Sequence, residues 1–172
     1  PCSVYVEGGN NIGNMRQVVD NLLDGDGLYS REIRSREIGR HSEYYAKPAQ
    51  YTTTYYYANN GHNYFIEYES CDGKAIFGFI RLRFTEPDKN MTRFDILRDR
   101  GLIRELHVYG NTTAVDTYDK GGCQHTGIGK GLLRHAEIAT MEHGLYGIVV
   151  ISGEGVKGYY EKRGYREVDT FM

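Results

Sequence analysis

The stretch QHTGIGKG at residues 124–131 places three glycines within five positions, directly before a segment whose apolar residues have helical spacing. Gly127, Gly129 and Gly131 carry no Cβ, so backbone amides in this stretch can approach an anion closely. The following helix adds free N–H groups and a partial positive charge at its first turn. The stretch therefore predicts an anion-binding turn, and a glycine-rich helix start without a ligand is the alternative.

Two familiar phosphate-binding loops do not fit this stretch. A Walker loop requires Ser or Thr after its Gly-Lys pair, whereas Lys130 is followed by Gly131 and Leu132. A dinucleotide-binding GxGxxG motif follows the first strand of its domain, whereas this stretch comes late in the chain after a long loop. Nucleoside triphosphates and dinucleotides are therefore not the expected ligands.

The composition is that of one globular domain. Hydrophobic residues make up 40% and charged residues 26% of the 172 positions, which is enough to form a sizeable core. The net charge of -2 means that any contact with nucleic acid must rest on a local basic patch.

The cysteines and the lengths of the apolar runs indicate the redox state of the compartment and whether the chain crosses a membrane. Cys2, Cys71 and Cys123 are odd in number and far apart, which favours a reducing compartment, cytoplasmic or nuclear, and forms no metal motif. No apolar run approaches about 18 residues, so we expect no transmembrane helix and no membrane partner. Because the sequence begins at Pro1 rather than Met, we expect the natural protein to be longer.

Hydrophobic periodicity predicts an α+β domain with a mixed sheet. A meander of strands precedes a strand, helix, strand, helix, strand order, and the strand after the long helix has the continuous apolar character of a buried parallel strand. Within 102–109, Ile103, Glu105, His107 and Tyr109 are predicted to share one face. The predicted elements are a helix over 12–23, strands over 30–40 and 51–57, a hairpin about Asp72-Gly73, a strand over 102–109, a helix from Ile128 to His143-Gly144, a strand over 146–152, a short helix over 156–163 and a strand over 165–171.

Two motifs carry a resemblance to a known superfamily. Gln124-x-x-Gly127-x-Gly129, between a strand and a helix, resembles the acetyl-CoA pyrophosphate loop of the GNAT acetyltransferases. GYYEKRGY at 158–165 resembles the FYEKxGF-type motif near the end of the same superfamily. Together they imply a GNAT fold, which is a mixed, mostly antiparallel sheet flanked by helices, and acetyl-CoA as the cosubstrate.

The resemblance narrows to the C-terminal acetyltransferase domain of the Elongator catalytic subunit, a family of tRNA wobble-uridine modification also described as histone acetyltransferases. It implies a GNAT domain over 51–172 and an N-terminal linker, helix plus basic strand, packed on it over 1–50. It also implies tRNA and other Elongator-like subunits as partners. The matching segments are RSREIG (34–39), FIRLRF (79–84), RELHVYG (104–110), QHTGIGKGLL (124–133), EHG (142–144) and VISGEGVKGYYEKRGY (150–165).

The chain departs from that family in two ways. A radical S-adenosylmethionine domain needs a Cys-x3-Cys-x2-Cys-like triplet, and this sequence has none. Where many relatives carry zinc-binding cysteines in the arginine-rich segment, this chain has Ser30, Glu32 and Ser35. We therefore expect no zinc and no iron–sulfur cluster in this chain, and a radical S-adenosylmethionine domain or chain as a partner.

The resemblance also implies roles for individual residues. A backbone N–H of Val108 or Tyr109 would polarise the thioester carbonyl. Tyr160 occupies the place of the superfamily tyrosine that protonates the CoA thiolate, and a phenol pKa of about 10 suits that donation. The implied cofactor-binding residues are Leu106, His107, Val108, Tyr109, Gln124, His125, Thr126, Gly127, Ile128, Gly129, Lys130, Gly131, Tyr159 and Tyr160.

Further catalytic candidates have simpler structural alternatives. Adjacent helical residues diverge by about 100°, so one of Tyr159 and Tyr160 is expected to pack while the other points inward. Glu105 and His107 could act as a base through water, or could form an ion pair and half-buried hydrogen bonds. Both interpretations stay open on the sequence alone.

Six arginines could form a basic face that contacts RNA phosphates without reading sequence. The alternative is a set of solvated strand edges, with Glu32 and Glu37 as ion-pair partners. The resemblance favours RNA. The candidates are Arg31, Arg34, Arg36, Arg40, Arg81 and Arg83.

Three hypotheses about function follow. The first is an acetyl-CoA-binding domain of Elongator type, which binds and hydrolyses or donates acetyl-CoA during C5 modification of the wobble uridine U34. The second is an independent lysine, histone or small-amine N-acetyltransferase. The third, from another class, is a non-catalytic RNA-binding module.

Overall fold

A computed structural model describes residues 13–85, 94–110 and 127–172. None of the helices in these ranges is long and apolar enough to cross a membrane. Short 3-10 turns lie at Ile38–Arg40, Ser42–Tyr44, Asp95–Leu97 and Glu154–Val156. The main elements are α1 (Met15–Gly25), β1 (Ala49–Tyr57), β2 (Gly61–Ser70), β3 (Ile76–Thr85), β4 (Gly101–Val108), α2 (Ile128–Glu142), β5 (Ile148–Val150) and α3 (Lys157–Glu161).

The five strands form one mixed sheet in the order β1-β2-β3-β4-β5. The first four strands pair antiparallel, and β5 pairs parallel to β4. The predicted hairpin joins β2 to β3, where Gly73 adopts a left-handed φ of 72° and the Asp72 carboxylate accepts hydrogen bonds from Ser70 and Lys74. The mixed, mostly antiparallel sheet with flanking helices confirms the predicted α+β class.

Helix α2 covers one face of the sheet with the apolar stripe that its spacing predicts. Its buried side chains include Ile128, Leu132, Leu133 and Ala136. They join Ile80 and Leu82 of β3 and Ile103 of β4 in a single core. Gly144, with a φ of 82°, follows the end of α2 and confirms the predicted C-terminal glycine.

A β-bulge in β4 changes which residues share a face. Arg81 pairs with Glu105 and Leu82 pairs with Ile103, so Arg104 has no partner in the ladder. The extra residue reverses the alternation, which places Ile103 on the α2 face and Glu105 on the opposite face. The prediction that Ile103 shares a face with Glu105 and His107 is therefore wrong.

The arginine-rich segment over 30–40 is not a strand, in contrast to its prediction. It forms turns and a 3-10 turn, and Glu37 makes one isolated bridge to Ile76. Its backbone groups bond locally, since the amides of Ser35 and Arg36 both donate to the carbonyl of Glu32. Alternating charge imitated a strand because Arg36 is buried while the arginines at 34 and 40 are exposed.

The predicted strand over 165–171 is also absent. Val168 and Phe171 exchange two backbone hydrogen bonds of 2.9 and 3.0 Å, which closes a tight turn with Asp169 at a φ of 57°. Beyond this turn, the backbone of Met172 exchanges two hydrogen bonds with Val150 of β5. A local turn therefore competes successfully with strand extension here.

The segment before β1 contributes to the same core. Ile38 is fully buried and Tyr44 is 7% exposed. The Tyr44 hydroxyl donates to the Asp72 carboxylate at 2.7 Å, which ties the segment to the β2–β3 hairpin. The division into a linker over 1–50 and a domain over 51–172 stays a prediction.

Candidate functional site

The first turn of α2 presents backbone amides that have no hydrogen-bond partner among the residues that the structure describes. Gly127 precedes the helix in a left-handed conformation, with a φ of 79°, and no side chain of the described residues caps the helix. The first intrahelical bond runs from the Gly131 amide to the Gly127 carbonyl at 2.9 Å. The amides of residues 128–130 therefore lack helical partners and point out of the helix end. Gln124, His125 and Thr126 of the predicted loop lie outside the described residues.

Gly129 and Gly131 are small for reasons of packing. A Cβ on Gly129 would lie 2.7 Å from the Tyr159 hydroxyl and 3.5 Å from the Val108 side chain. A Cβ on Gly131 would overlap the Tyr51 hydroxyl. Because the Gly131 amide is bonded within the helix, it is not free for an anion, which corrects the prediction for this residue.

Among the described residues, no strand pairs with the β5 side of β4 beyond Ile103, which leaves this edge open beside the turn. The β4–β5 ladder covers only Gly101–Ile103, after which the amide of Ile151 bonds to the carbonyl of Ile103 at 3.0 Å. The amide of Tyr109 donates to Phe77 of β3 at 2.8 Å. Because successive N–H groups alternate sides along a strand, the Val108 amide points away from β3, toward the open edge.

This alternation distinguishes the backbone amides of Val108 and Tyr109, the two candidates for polarising a thioester carbonyl. The Tyr109 amide is engaged in the sheet, so the prediction that it could polarise a thioester is wrong. The Val108 amide has the required direction. Leu106, two residues earlier, has the same backbone orientation, and its partly buried side chain packs against the core.

Two adjacent tyrosines of α3 have different surroundings. Tyr159 is half-buried, and its hydroxyl lies against Gly129 in the first turn of α2. Tyr160 is 5% exposed and belongs to the hydrophobic core. The two rings meet edge to face with centroids 5.2 Å apart. The predicted divergence of the pair is confirmed.

Both phenols stay protonated at neutral pH. Burial raises the pKa of Tyr160 to about 12, and Tyr159 adds to that effect while Arg163 opposes it. Burial also raises the pKa of Tyr159, again opposed by Arg163. The Arg163 guanidinium lies 3.5 Å from the centroid of the Tyr159 ring and donates to the Tyr159 carbonyl at 2.5 Å. The pair can therefore donate protons but cannot act as a base.

Glu105 and His107 do not join this constellation. The Glu105 carboxylate lies 3.5 Å from Arg81 on the sheet face opposite α2. The ring of His107 stacks on Phe79 with centroids 5.9 Å apart, and Tyr109 lies 4.4 Å from it. Their contacts favour the ion-pair and packing interpretation over a shared base.

Two of the six candidate arginines are structural. Arg36 is 3% exposed and forms ion pairs with Glu67 at 2.6 Å and Glu69 at 2.7 Å. Arg83 donates to the carbonyls of Ala58 and Asn59 at 3.1 and 2.6 Å. The prediction that Arg36 contacts RNA is wrong, because its charge is enclosed in the core.

The other four arginines are at the surface. Arg31, Arg34, Arg40 and Arg81 are exposed. Arg81 pairs with Glu105 and lies 5.8 Å from the ring centroids of both Phe65 and Phe79. They do not lie on two strands as predicted, because only Arg81 belongs to one.

Ser30, Glu32 and Ser35 form a hydrogen-bonded cluster. The Ser35 hydroxyl lies 2.9 and 3.0 Å from the two carboxylate oxygens of Asp20, and Glu32 pairs with Arg16 at 2.8 Å. The amide of Glu32 donates to Ser30. Within 13–85, 94–110 and 127–172, no three His, Cys, Asp or Glu side chains converge as metal ligands would. These hydrogen bonds tie α1 to the segment after it.

Sequence reasoning missed one contact of α2. Tyr51 of β1 stacks on His135 with centroids 4.2 Å apart and an interplanar angle of 26°. The helical spacing of Gly131 and His135 places them on one face of α2, which was the available signal. The sequence does not predict which β1 residue contacts them, because that depends on how α2 packs across the sheet.

The chain is similar to known proteins over its whole length. It is 38% identical to Elongator complex protein 3 of Schizosaccharomyces pombe over 171 residues, which are 97% of this chain and 31% of that protein. It is 34% identical to Elongator complex protein 3 of Saccharomyces cerevisiae over 176 residues, 100% of this chain and 31% of that protein. No family model matches.

A solved structure agrees with these similarities. The archaeal Methanocaldococcus infernus Elp3, with an N-terminal deletion, has a TM-score of 0.72 and 29% sequence identity, covering 100% of this chain and 41% of that one. The chain spans about a third of the length of its relatives. The matches confirm the resemblance to the Elongator catalytic subunit that the sequence motifs indicated, and the archaeal structure agrees with the α+β fold.

Proposed function

The chain corresponds to one domain of the Elongator complex protein 3 family, and from this premise we propose that it is an acetyl-CoA-dependent acyltransferase domain. In this proposal it acts in C5 modification of the tRNA wobble uridine by binding acetyl-CoA and hydrolysing it or donating its acetyl group. The observation that carries the proposal is the meeting of three features: the free amides of residues 128–130, the open edge of β4 at Val108, and the Tyr159 hydroxyl.

Each feature suits a different part of acetyl-CoA. Free amides at a helix N-terminus bind pyrophosphate oxygens, and the positive end of the helix dipole adds to that attraction. Gln124, His125 and Thr126 precede this turn in the sequence and stay predicted pyrophosphate contacts. The Val108 amide would donate to the thioester carbonyl oxygen, and the Tyr159 hydroxyl would contact the cosubstrate near the first turn of α2.

The chemical step needs a carbonyl polarised and a thiolate protonated. An acceptor attacks the thioester carbon, the negative charge on oxygen is stabilised by the Val108 amide, and the C–S bond breaks. The departing CoA thiolate takes a proton from Tyr160, whose pKa of about 12 keeps it protonated beforehand. The proton that the acceptor loses passes through solvent and restores the Tyr160 phenol. With water as the acceptor the products are acetate and CoA.

Partners follow from the family and from the surface arginines. We propose that tRNA phosphates contact Arg31, Arg34, Arg40 and Arg81, which would give a salt-dependent affinity. A radical S-adenosylmethionine domain, on the same protein or a partner chain, and other Elongator-like subunits would supply the rest of the uridine chemistry. We place the protein in the cytoplasm, with the nucleus as a second location.

Acetyl-CoA turnover in the presence and absence of tRNA tests the proposal. We expect release of CoA to be stimulated by tRNA. Turnover that needs only an amine acceptor would instead support an independent N-acetyltransferase. Binding of tRNA without any binding of acetyl-CoA would leave a non-catalytic RNA-binding module and would contradict the proposal.

A further inference from the structure

Tyr51 of β1 reaches across the sheet to the first turn of α2. Tyr51 pairs with Tyr68 of β2, and the two rings lie 4.6 Å apart on the sheet face that α2 covers. The hydroxyl of Tyr51 occupies the space that a Cβ on Gly131 would need, and its Cζ would lie 2.7 Å from that Cβ. The chain therefore has a phenol wedged against the turn whose amides form the candidate anion site.

A second contact fixes the same ring one helical turn later. His135 stacks on Tyr51, and its Nδ1 lies 2.9 Å from the carbonyl oxygen of Gly131. Tyr68 in turn lies 5.7 Å from Phe77 of β3, which is fully buried. Tyr51 therefore packs between the sheet core and α2. The same contacts restrict the position of α2 on the sheet.

The reason for glycine at position 131 follows from these contacts. The Gly131 amide is bonded to the Gly127 carbonyl, so it needs no clearance for an anion. Positive-φ glycines of the described residues include Gly127 but not Gly131, so backbone conformation does not require glycine there. The overlap with Tyr51 is the remaining physical reason.

We propose that Tyr51, clamped by His135, is a positioning residue that fixes the direction of the amides at 128–130, and that Gly131 is glycine to admit it. The inference rests on the proposed function for the role of those amides. The steric relation between Gly131 and Tyr51 is independent of any ligand.

Thermal unfolding without ligand tests the steric relation. Replacing Gly by Ala inside a helix normally stabilises it. We expect Gly131→Ala to lower Tm in the wild-type chain and to raise it by about 2–4 °C in a Tyr51→Leu background. A Tyr51→Val background repeats the comparison if the leucine variant folds poorly. An effect of the same sign in both backgrounds would overturn the steric relation.

Acetyl-CoA binding tests the positioning role. Calorimetry well below Tm should show Tyr51→Leu raising Kd for acetyl-CoA about 5-fold or more, with kcat at saturation unchanged. The matched control is Tyr55→Leu, since Tyr55 lies on the same strand face, is 52% exposed and contacts His62 and Tyr64 instead. Equal Kd values for the two variants would overturn the role.

The two tests distinguish failure of the role proposed for Tyr51 from failure of the proposed acetyl-CoA function. If the wild-type chain binds no acetyl-CoA, the proposed function fails and the positioning role fails with it. The reversal of sign in Tm is measured without ligand, so it still decides whether Tyr51 dictates glycine at position 131.

Discussion

At the scale of residues, the proposed function gives Tyr160 and Tyr159 separate roles, proton donation and cosubstrate contact. Tyr160→Phe keeps the buried ring but removes the proton donor, so we expect kcat for acetyl-CoA turnover to fall about 10²-fold with Kd unchanged. Tyr159→Phe removes the hydroxyl beside Gly129, so we expect Kd to rise with little change in kcat. Steady-state kinetics and calorimetry on both variants measure this. Full activity in Tyr160→Phe would refute the assignment of the proton donor.

A second residue-scale prediction concerns Arg36. Arg36→Met leaves two carboxylates buried without a cation, which typically costs about 3–5 kcal/mol of unfolding free energy. Denaturant unfolding measures the loss, and Arg40→Met, at an exposed position on the same segment, is the control. A loss no larger than that of the control would contradict the inward role of Arg36.

This loss should depend on pH. Burial raises the pKa of Glu67 and Arg36 lowers it, so the folded pKa lies above the unfolded value. Stability from such a carboxyl is present at low pH and is lost as pH rises through the folded pKa. Without Arg36 that pKa rises further. The deficit of Arg36→Met should therefore be larger at pH 7 than at pH 5.

These residues also mark the limit of sequence reasoning. The resemblance implied that the backbone N–H of Val108 or Tyr109 polarises a carbonyl, but only the hydrogen bond from Tyr109 to Phe77 distinguishes them. The inward turn of Arg36 depends on Glu67 and Glu69, more than thirty positions away. Contacts over such separations follow from the fold and are not encoded in local pattern.

At the scale of elements, periodicity predicted the hairpin, β4, α2 and β5, because each has a clear apolar pattern or a turn signal. It failed over 30–40 and 165–171, where local turns use the backbone groups that a strand would need. The bulge at Arg104 was invisible because one extra residue changes the register without changing the composition.

The element-scale prediction concerns the start of α2. Gly127 has a φ of 79°, and a Cβ there would meet no atom of the described residues within 4 Å, so among these residues it is the backbone conformation that restricts the position. A left-handed β-branched residue costs about 1–2 kcal/mol, so Gly127→Val should raise Kd for acetyl-CoA about 5- to 30-fold by displacing the free amides. Gly127→Asn, which tolerates this conformation, is the control. Equal affinities in both variants would contradict the anion-binding turn.

At the scale of the whole molecule, the two faces of one sheet carry the two proposed contact surfaces, one for acetyl-CoA and one for tRNA. The face under α2 leads to the free amides, the open edge of β4 and the tyrosines. The opposite face carries Arg81, Glu105 and His107 beside the arginine-rich segment. The chain spans about a third of its relatives' length, so the proposed uridine modification would also use parts of such proteins that lie outside the matched region.

Calorimetric titration of the protein with acetyl-CoA, with and without tRNA, tests the central claim most directly. The account predicts saturable binding of acetyl-CoA that is weakened by Gly127→Val, and no comparable binding of ATP or NAD at the same concentrations. Absence of acetyl-CoA binding in both the presence and absence of tRNA would contradict it.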